Sequence, residues 1–222
     1  MKHRYIICFF IISGIIISAI IYSCKKDKEK ITINGVVTDP NMNVKVSNAH
    51  VTISASMVTS GFYNSNYTDI ASTTTDGNGA FTFEFEKQKS AGYRIYISKD
   101  NYFDNTIDIP DGKIVSGTPY TPTYNIYPVD YVKIHVKNST PFDTNDKIRY
   151  SYTSGYTSCF ECCSNVIIKG YGQHYDTISK CKTYGSQNVI INWSVYKAGY
   201  DIAYGDTFFC TPFDTTFYEI LY

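Results

Sequence analysis

Apolar and polar residues alternate in short segments along most of this chain. In the first half the alternating groups begin at Ile31, Val51, Phe81 and Tyr93. In the second half they begin at Val132, Ile148, Val166, Val189 and Phe217. A period of two predicts strands with one buried face, and the intervening turns are rich in Asp, Asn, Gly and Pro. The pattern therefore predicts antiparallel β-sandwiches without helical crossovers.

A proline-containing stretch, residues 117–128, separates the two series. We expect two tandem antiparallel β-sandwich domains of the prealbumin-like or immunoglobulin-like kind, residues 31–128 and 129–222, each long enough for its own core. Composition agrees, because the chain has 28 Ile, 22 Tyr and 13 Phe but one Leu, eight Ala and five Glu. Good helix formers are scarce, which excludes a mainly helical protein.

The first 30 residues have a different character. Positive charge at Lys2 and Arg4 precedes an apolar run, residues 5–21, and then Ser23 and Cys24. This order is typical of a secretory signal peptide, so residues 1–23 are not counted in the fold. Residues 24–30 hold four lysines and no apolar side chain other than Cys24, and they are interpreted as a flexible lipidated tether.

The four residues from Ile21 to Cys24, at the end of the apolar run, resemble the lipobox of bacterial lipoproteins. The resemblance implies that Cys24 becomes the first residue of the mature chain and carries a diacylglyceryl thioether and an N-acyl group such as palmitate. Several acyl chains would hold the protein durably on a membrane. We expect a lipid-anchored cell-envelope protein of the outer membrane, on a face that the sequence leaves open. The alternative is an uncleaved anchor, since about 17 apolar residues approach the lower limit for a membrane span.

Net charge narrows the range of partners. The full chain has 20 basic and 20 acidic residues. Removal of residues 1–23 leaves 18 basic and 20 acidic residues, a net charge of −2. This balance gives no bulk attraction for nucleic acid, and no nucleic-acid partner is predicted.

The first half resembles the carboxypeptidase regulatory-like family. The resemblance rests on Gly35–Val37, Asn48–Ile53, Thr75–Phe81 and Lys99–Tyr102. It implies a prealbumin-like sandwich that serves as a non-catalytic accessory or assembly module, and it assigns no functional residue. Within this region we expect the turn at residues 76–79 to close a tight hairpin and Phe81 to enter the core. The second strand is expected to lead into a long polar loop.

Five cysteines in the second half are the strongest chemical signal: Cys159, Cys162, Cys163, Cys181 and Cys210. Outside the inner membrane thiols are oxidised, so these residues are predicted to form two disulfides with one cysteine left over. The favoured arrangement links the 159–163 cluster to Cys181 and to Cys210. The alternatives are a thiolate-rich zinc site that includes His174, and a redox Cys-x-x-Cys.

Tyrosines next to small and amide residues are the candidates for ligand binding. They are Tyr63, Tyr67, Tyr156, Tyr171 and Tyr175. A tyrosine ring can stack on a sugar or form a protein interface, but in this chain tyrosine is also a general strand residue. Trp193 alternates in phase with Val189 and Val195 and is predicted to be core.

Nothing in the sequence predicts catalysis. Nucleophile, zinc-protease, phosphate-loop and dinucleotide motifs are absent, and we expect none of the histidines His50, His135 and His174 to have an acidic or nucleophilic neighbour that would suggest a catalytic triad. Four aspartates could offer oxygen ligands for calcium, but their spacing matches no EF-hand loop: Asp100, Asp104, Asp108 and Asp111. We expect no cofactor and no metal. The predicted function is a non-catalytic binding or assembly module of the cell envelope; the alternative is a glycan-binding lipoprotein of a nutrient-capture system.

Overall fold

The structure, a computed structural model, describes residues 29–59, 62–110, 112–154, 162–163 and 165–222. Within these ranges the chain forms strands and no helix. The first eight strands are β1 Lys30–Asp39, β2 Val44–Lys45, β3 His50–Thr59, β4 Phe62–Thr74, β5 Ala80–Glu86, β6 Ser90–Ser98, β7 Asn105–Pro110 and β8 Thr123–Asn125. The remaining strands are β9 Val129–Lys137, β10 Lys147–Ser154, β11 Ile168–Tyr171, β12 Asp176–Tyr184, β13 Gln187–Lys197, β14 Tyr200–Cys210 and β15 Thr215–Leu221.

Strands β1 to β8 form two sheets that enclose one apolar core. In the first sheet β1 pairs with β2 and β5 and, in parallel, with β8; the second sheet has the order β4-β3-β6-β7. Alternate residues of each strand point inward, so Ile33 lies opposite Phe83 in one sheet and Ile53 opposite Ile95 in the other. The core extends from Ile31 to Ile126.

Strands β9 to β15 form a second pair of sheets with a separate core. The larger sheet has the order β11-β10-β13-β14, and the smaller has the order β12-β9-β15, with β15 parallel to β9. Ile134 from the smaller sheet and Ile148 and Ile191 from the larger are fully buried between them. We call the sheet that contains β13 and β14 the four-stranded outer sheet, because its far side is exposed to solvent.

The all-β prediction is confirmed, but six of the fifteen strands in the described ranges are missing from it. The expected long polar loop is wrong, because most of that segment is β4, which pairs with β3 over residues 62–74. Strands β2, β7, β8, β12 and β14 were not predicted either. Among the described residues each of these six strands pairs with one neighbouring strand only, and strands at sheet edges are covered less completely than central strands.

Two finer expectations also need correction. The turn at residues 76–79 does not close a hairpin, because β4 and β5 belong to different sheets; Gly79 does adopt a positive φ of 70°, and Phe81 is buried. In β15 the alternating set that begins at Phe217 faces solvent, whereas Ile220 faces the core. Both faces of β15 carry apolar residues, so the sequence does not show which face is buried. A shift by one residue moves every side chain of a strand to the other face of the sheet.

Aromatic residues join the two sheet pairs. Phe103 of the first half packs against Tyr184 of the second with tilted rings whose centroids are 4.3 Å apart. Val129 is buried in the same small cluster. Nearby, the side-chain amide of Asn41 donates to the Gly185 carbonyl at 3.0 Å. These contacts join the two halves of the protein close to Pro128.

Candidate functional site

Strands β13 and β14 form a hairpin whose second strand is exposed over most of its length. Its two turn residues, Ala198 and Gly199, have φ values of 50° and 86°. This combination is that of a type I′ turn, whose twist matches the twist of the flanking strands. The two strands therefore pair without interruption from Lys197 and Tyr200 to Gln187 and Cys210.

The outer edge of β14 is open. In a hairpin with a two-residue turn the residues that flank the turn form a hydrogen-bonded pair, so alternate residues direct their N–H and C=O groups away from the partner strand. In β14 these residues are Asp201, Ala203, Gly205, Thr207 and Phe209. Across the described ranges no strand pairs with this edge.

Edge strands are usually protected by lysines, proline, bulges or shortness. Strand β12 carries Lys180 and Lys182, β11 has four residues, and β4 is interrupted by register shifts. Strand β14 has 11 residues and neither lysine nor proline. Its Asp201 is neutralised by Arg149. This edge is thus long, regular and available for pairing.

A groove of about 400 Å³ lies on the inward side of β14, beside the end of β15. The four-stranded outer sheet extends beyond the three-stranded sheet that faces it, so the inward side chains of β14 are not fully covered. Tyr200, Ile202 and Tyr204 are 72%, 52% and 47% exposed. Trp193 stacks on Tyr204 with centroids 5.5 Å apart and forms the floor of the groove. The predicted core residue Trp193 is therefore half-buried.

Both ends of the groove are fixed by side chains. At one end Phe208 of β14 stacks on Tyr218 of β15 at 4.7 Å, and the Tyr218 hydroxyl donates to Asp206 at 2.6 Å. These contacts hold the two sheets together where the groove stops. Burial, together with the hydrogen bond to Asp206, raises the pKa of Tyr218 to about 12.

At the other end Lys197 anchors the loop after β9. Its Nζ donates to Asn138 Oδ1 at 2.8 Å and to the Thr140 carbonyl at 2.7 Å, and it also reaches the Thr140 hydroxyl at 3.1 Å. Asn138 in turn donates to the buried carboxylate of Asp146 at 2.8 Å. Burial lowers the pKa of Lys197, while the charge of Asp146 opposes this effect. All three ammonium protons are used, so Lys197 acts as a structural anchor.

The described cysteines include both disulfide-bonded residues and one buried thiol. Cys163 is bonded to Cys181, and Cys162 is disulfide-bonded as well. The predicted link from the 159–163 cluster to Cys210 is wrong, because Cys210 has a free thiol in the core. Burial and the neighbouring Asp130 raise the pKa of Cys210 to about 12, so the thiol is un-ionised at neutral pH. Cys159 lies outside the described residues.

The structure does not gather the predicted tyrosines into one site. Tyr67 is on β4, where the Arg94 guanidinium lies 3.9 Å from its ring centroid. Tyr171 ends β11 and is 61% exposed on the four-stranded outer sheet. Tyr175 is half-buried against the second core. Tyr156, the side chain of Tyr63 and the lipidation candidate Cys24 lie outside the described residues.

One histidine has acidic neighbours that its sequence context does not reveal. His135 lies between two carboxylates, with Nδ1 2.7 Å from Glu219 and Nε2 2.7 Å from Asp176. The expectation that no histidine has an acidic neighbour is therefore wrong for His135. Asp176 and Glu219 belong to β12 and β15, which pair with β9 on either side. Hydrogen bonds to the two carboxylates raise the pKa of His135. Only an imidazolium can donate from both nitrogens.

Neither a metal-ligand cluster nor a membrane-spanning helix occurs within the described ranges. Among those residues no cluster of three or more His, Cys, Asp or Glu side chains is placed to hold a metal ion. The same residues contain no helix that is long and apolar enough to cross a membrane.

The sequence did carry a signal for the β14 site. Tyr200, Ile202 and Tyr204 alternate with Asp201, Ala203 and Gly205, directly after a Lys-Ala-Gly segment that connects them to the Trp193 strand. This segment is a weak turn signal, because Ala-Gly is less typical of a hairpin than Asn-Gly or Asp-Gly. The groove itself depends on the unequal widths of the two sheets, which no local pattern reveals.

These features define an all-β protein built from stacked antiparallel sheets. No protein-family model matches the chain, and no curated protein matches it.

Several solved structures align with this chain at low sequence identity. The Bacillus anthracis TIE protein is 13% identical, with a TM-score of 0.38 over 87% of this chain and 34% of that one. The shaft pilin SpaA from Lactobacillus rhamnosus GG, as an E269A/D295N double mutant, is 12% identical, with a TM-score of 0.31 over 87% of this chain and 96% of that one. The third is 3-chlorocatechol 1,2-dioxygenase from Rhodococcus opacus 1CP, 12% identical, with a TM-score of 0.34 over 46% of this chain and 61% of that one.

The chain spans about a third of the length of the TIE protein. The TM-scores of these alignments are below 0.5, and no conclusion about the fold, activity or partners of this chain is attached to them.

Proposed function

We propose that this protein is a lipid-anchored, non-catalytic structural module of the cell envelope that assembles with another polypeptide by strand pairing along β14. The observation that carries the proposal is the open edge of β14 next to an uncovered inward face. An added strand would satisfy the outward backbone groups of this edge, and its alternate side chains would cover Tyr200 and Tyr204.

The size of the edge supports assembly. Eleven residues in extended conformation span about 35 Å. Backbone pairing gives affinity, and the groove beside Ile202 and Tyr204 gives selectivity for a strand with apolar residues at alternate positions. A monomeric protein without such a partner would carry a long unprotected edge, which favours uncontrolled aggregation.

The location follows from the sequence of the leader. Fatty acids on Cys24 would hold the protein at the outer membrane, and residues 24–30 would space the first strand from the lipid surface. On this proposal the folded part projects from the membrane and presents β14 at a distance from the anchor along the chain.

We propose in addition that residues 31–128 form a carboxypeptidase regulatory-like domain and residues 129–222 a second sandwich. Separate cores support the division, since one includes Ile126 and the other starts at Val132. The turn typical of the family is well formed: Asp76 Oδ1 accepts from the backbone N–H groups of Asn78 and Ala80, both at 2.8 Å. This turn leads directly into β5, where Phe81 is buried.

Strand pairing is tested with Ala203→Pro. The Ala203 N–H points away from β13, so proline removes an outward donor but no hydrogen bond to β13, and proline is tolerated on edge strands. Ala203→Val, which keeps the N–H, is the matched control. Full-length proteins are expressed in the native host, cross-linked on intact cells and purified, and the attached proteins are identified by mass spectrometry.

We expect a partner with the parent protein and with Ala203→Val, and a loss of most of it with Ala203→Pro at an unchanged unfolding midpoint. Equal recovery of the partner with Ala203→Pro would refute pairing at this edge. Recovery of no partner from any variant would refute the assembly function itself.

A further inference from the structure

A second cleft lies on the opposite face of the same sheet, away from the groove. It has a volume of about 300 Å³. The strand register places two rows of side chains in it. One row is Tyr171, Lys147 and Tyr196, and the next is Lys169, Arg149 and Ser194, each contributed in order by β11, β10 and β13.

The cleft has an excess of positive charge. Arg149 and Lys169 lie directly opposite each other on neighbouring strands, an arrangement in which like charges destabilise a sheet. Asp201 neutralises Arg149. In the described part of the chain no carboxylate forms an ion pair with Lys147 or Lys169. Two lysine charges thus remain uncompensated on a mature chain whose expected net charge is −2.

Aromatic rings flank these charges. Lys147 Nζ lies 5.3 Å from the Tyr196 ring centroid on one side, and Tyr171 lies opposite Lys147 on the other. The Tyr171 ring is 61% exposed, so one ring face is free to stack on a ligand. Cations beside an exposed ring suit a molecule that combines a flat apolar face with an anionic group.

We propose that this cleft binds acidic sugar residues of a polysaccharide. The sugar ring stacks on Tyr171, and its carboxylate or sulfate is held by Lys147 and Lys169. Uronic acids and sulfated hexoses share this chemistry. The cleft is also lined by Asp201 of β14, but the groups proposed to hold the sugar, Lys147, Lys169 and Tyr171, belong to β10 and β11.

Binding is measured by isothermal titration calorimetry with the full-length protein in neutral detergent micelles. The probes are tetragalacturonate for the carboxylate, a chondroitin sulfate tetrasaccharide for the sulfate, and maltotetraose as the neutral sugar. Phosphatidylglycerol and phosphatidylcholine vesicles, tested by flotation, report binding to an anionic lipid surface.

The variants separate charge from stacking. Lys147→Gln and Lys169→Gln each remove one cation of the cleft, and Lys113→Gln removes an exposed lysine after β7 as the charge-matched control. Tyr171→Ala removes the ring, and Tyr171→Phe keeps its face. Thermal unfolding confirms that each variant is folded.

We expect at least one acidic tetrasaccharide to bind and maltotetraose not to bind. Each cleft-lysine variant should weaken this binding about fivefold, a loss of about 1 kcal/mol, and Lys113→Gln should leave it unchanged. Tyr171→Ala should weaken binding while Tyr171→Phe retains it. Equal binding of the neutral sugar, an equal loss with Lys113→Gln, binding of phosphatidylglycerol vesicles alone, or no binding at all would overturn the proposal.

Discussion

The disulfide between Cys163 and Cys181 joins the segment before β11 to the middle of β12, the edge strand of the facing sheet. The two cysteines are 18 residues apart in sequence. In the unfolded chain a cross-link over a loop of this length removes conformational entropy equivalent to about 3 kcal/mol at 25 °C. The double variant Cys163→Ala/Cys181→Ala should therefore be less stable than the parent by about this amount.

Urea unfolding followed by tryptophan fluorescence gives the measurement, because Trp193 lies on the same pair of sheets. With a denaturant slope of about 1–3 kcal/mol per molar, the midpoint should fall by about 1–3 M. Cys210→Ala is the control. Cys210 closes no loop, and its loss should cost about 1 kcal/mol, the transfer free energy of one small apolar group.

The reasoning fails if the double variant keeps the parent midpoint, or if Cys210→Ala costs as much as the double variant. Peptide mapping under non-reducing conditions gives an independent check. It should recover the Cys163 and Cys181 peptides joined to each other and the Cys210 peptide with an alkylated thiol.

Three further outcomes are expected. The pKa of His135 is raised in the folded state. The stabilising contribution of His135 should therefore be complete below the unfolded-state pKa of about 6.5 and should disappear as pH rises through the folded-state pKa. His135→Gln should remove this pH dependence from the unfolding midpoint, and a parent midpoint that does not change over this range would contradict the assignment. Ala198→Asn creates the preferred Asn-Gly turn at a position with a φ of 50° and should stabilise the protein by about 0.5–1 kcal/mol in urea unfolding; a loss of stability would argue against the type I′ turn. Cys24→Ala should move the protein from the detergent phase to the aqueous phase in a Triton X-114 partition, and unchanged partitioning would contradict lipidation.

Alternation of residues predicted the central strands because each has one buried face. Ile31 and Ile33, or Ile95 and Ile97, have no exposed surface, and their spacing of two is therefore strict. The edges were harder to predict. Tyr200, Ile202 and Tyr204 alternate as regularly, yet they stay exposed because the facing sheet is one strand narrower.

The candidate site could be predicted only in part. The neighbours of Tyr171 in sequence predict a ligand-binding residue, and in the structure Tyr171 lines the cleft that contains Lys147 and Lys169. The partners that give this position its chemistry, Lys147 and Lys169, come from two strands whose register sequence alone did not specify. The same reason hid the carboxylates around His135: all three residues are distant in the chain and meet only because β12 and β15 both pair with β9.

Amide hydrogen exchange of β14 tests the proposed strand pairing most directly. The N–H groups of Asp201, Ala203 and Gly205 point away from β13, so they should exchange rapidly in the isolated protein, while those of Tyr200, Ile202 and Tyr204 exchange slowly. In the complex isolated from cells, all six should be protected. If the outward amides exchange as fast in the complex as in the isolated protein, β14 is not the assembly strand.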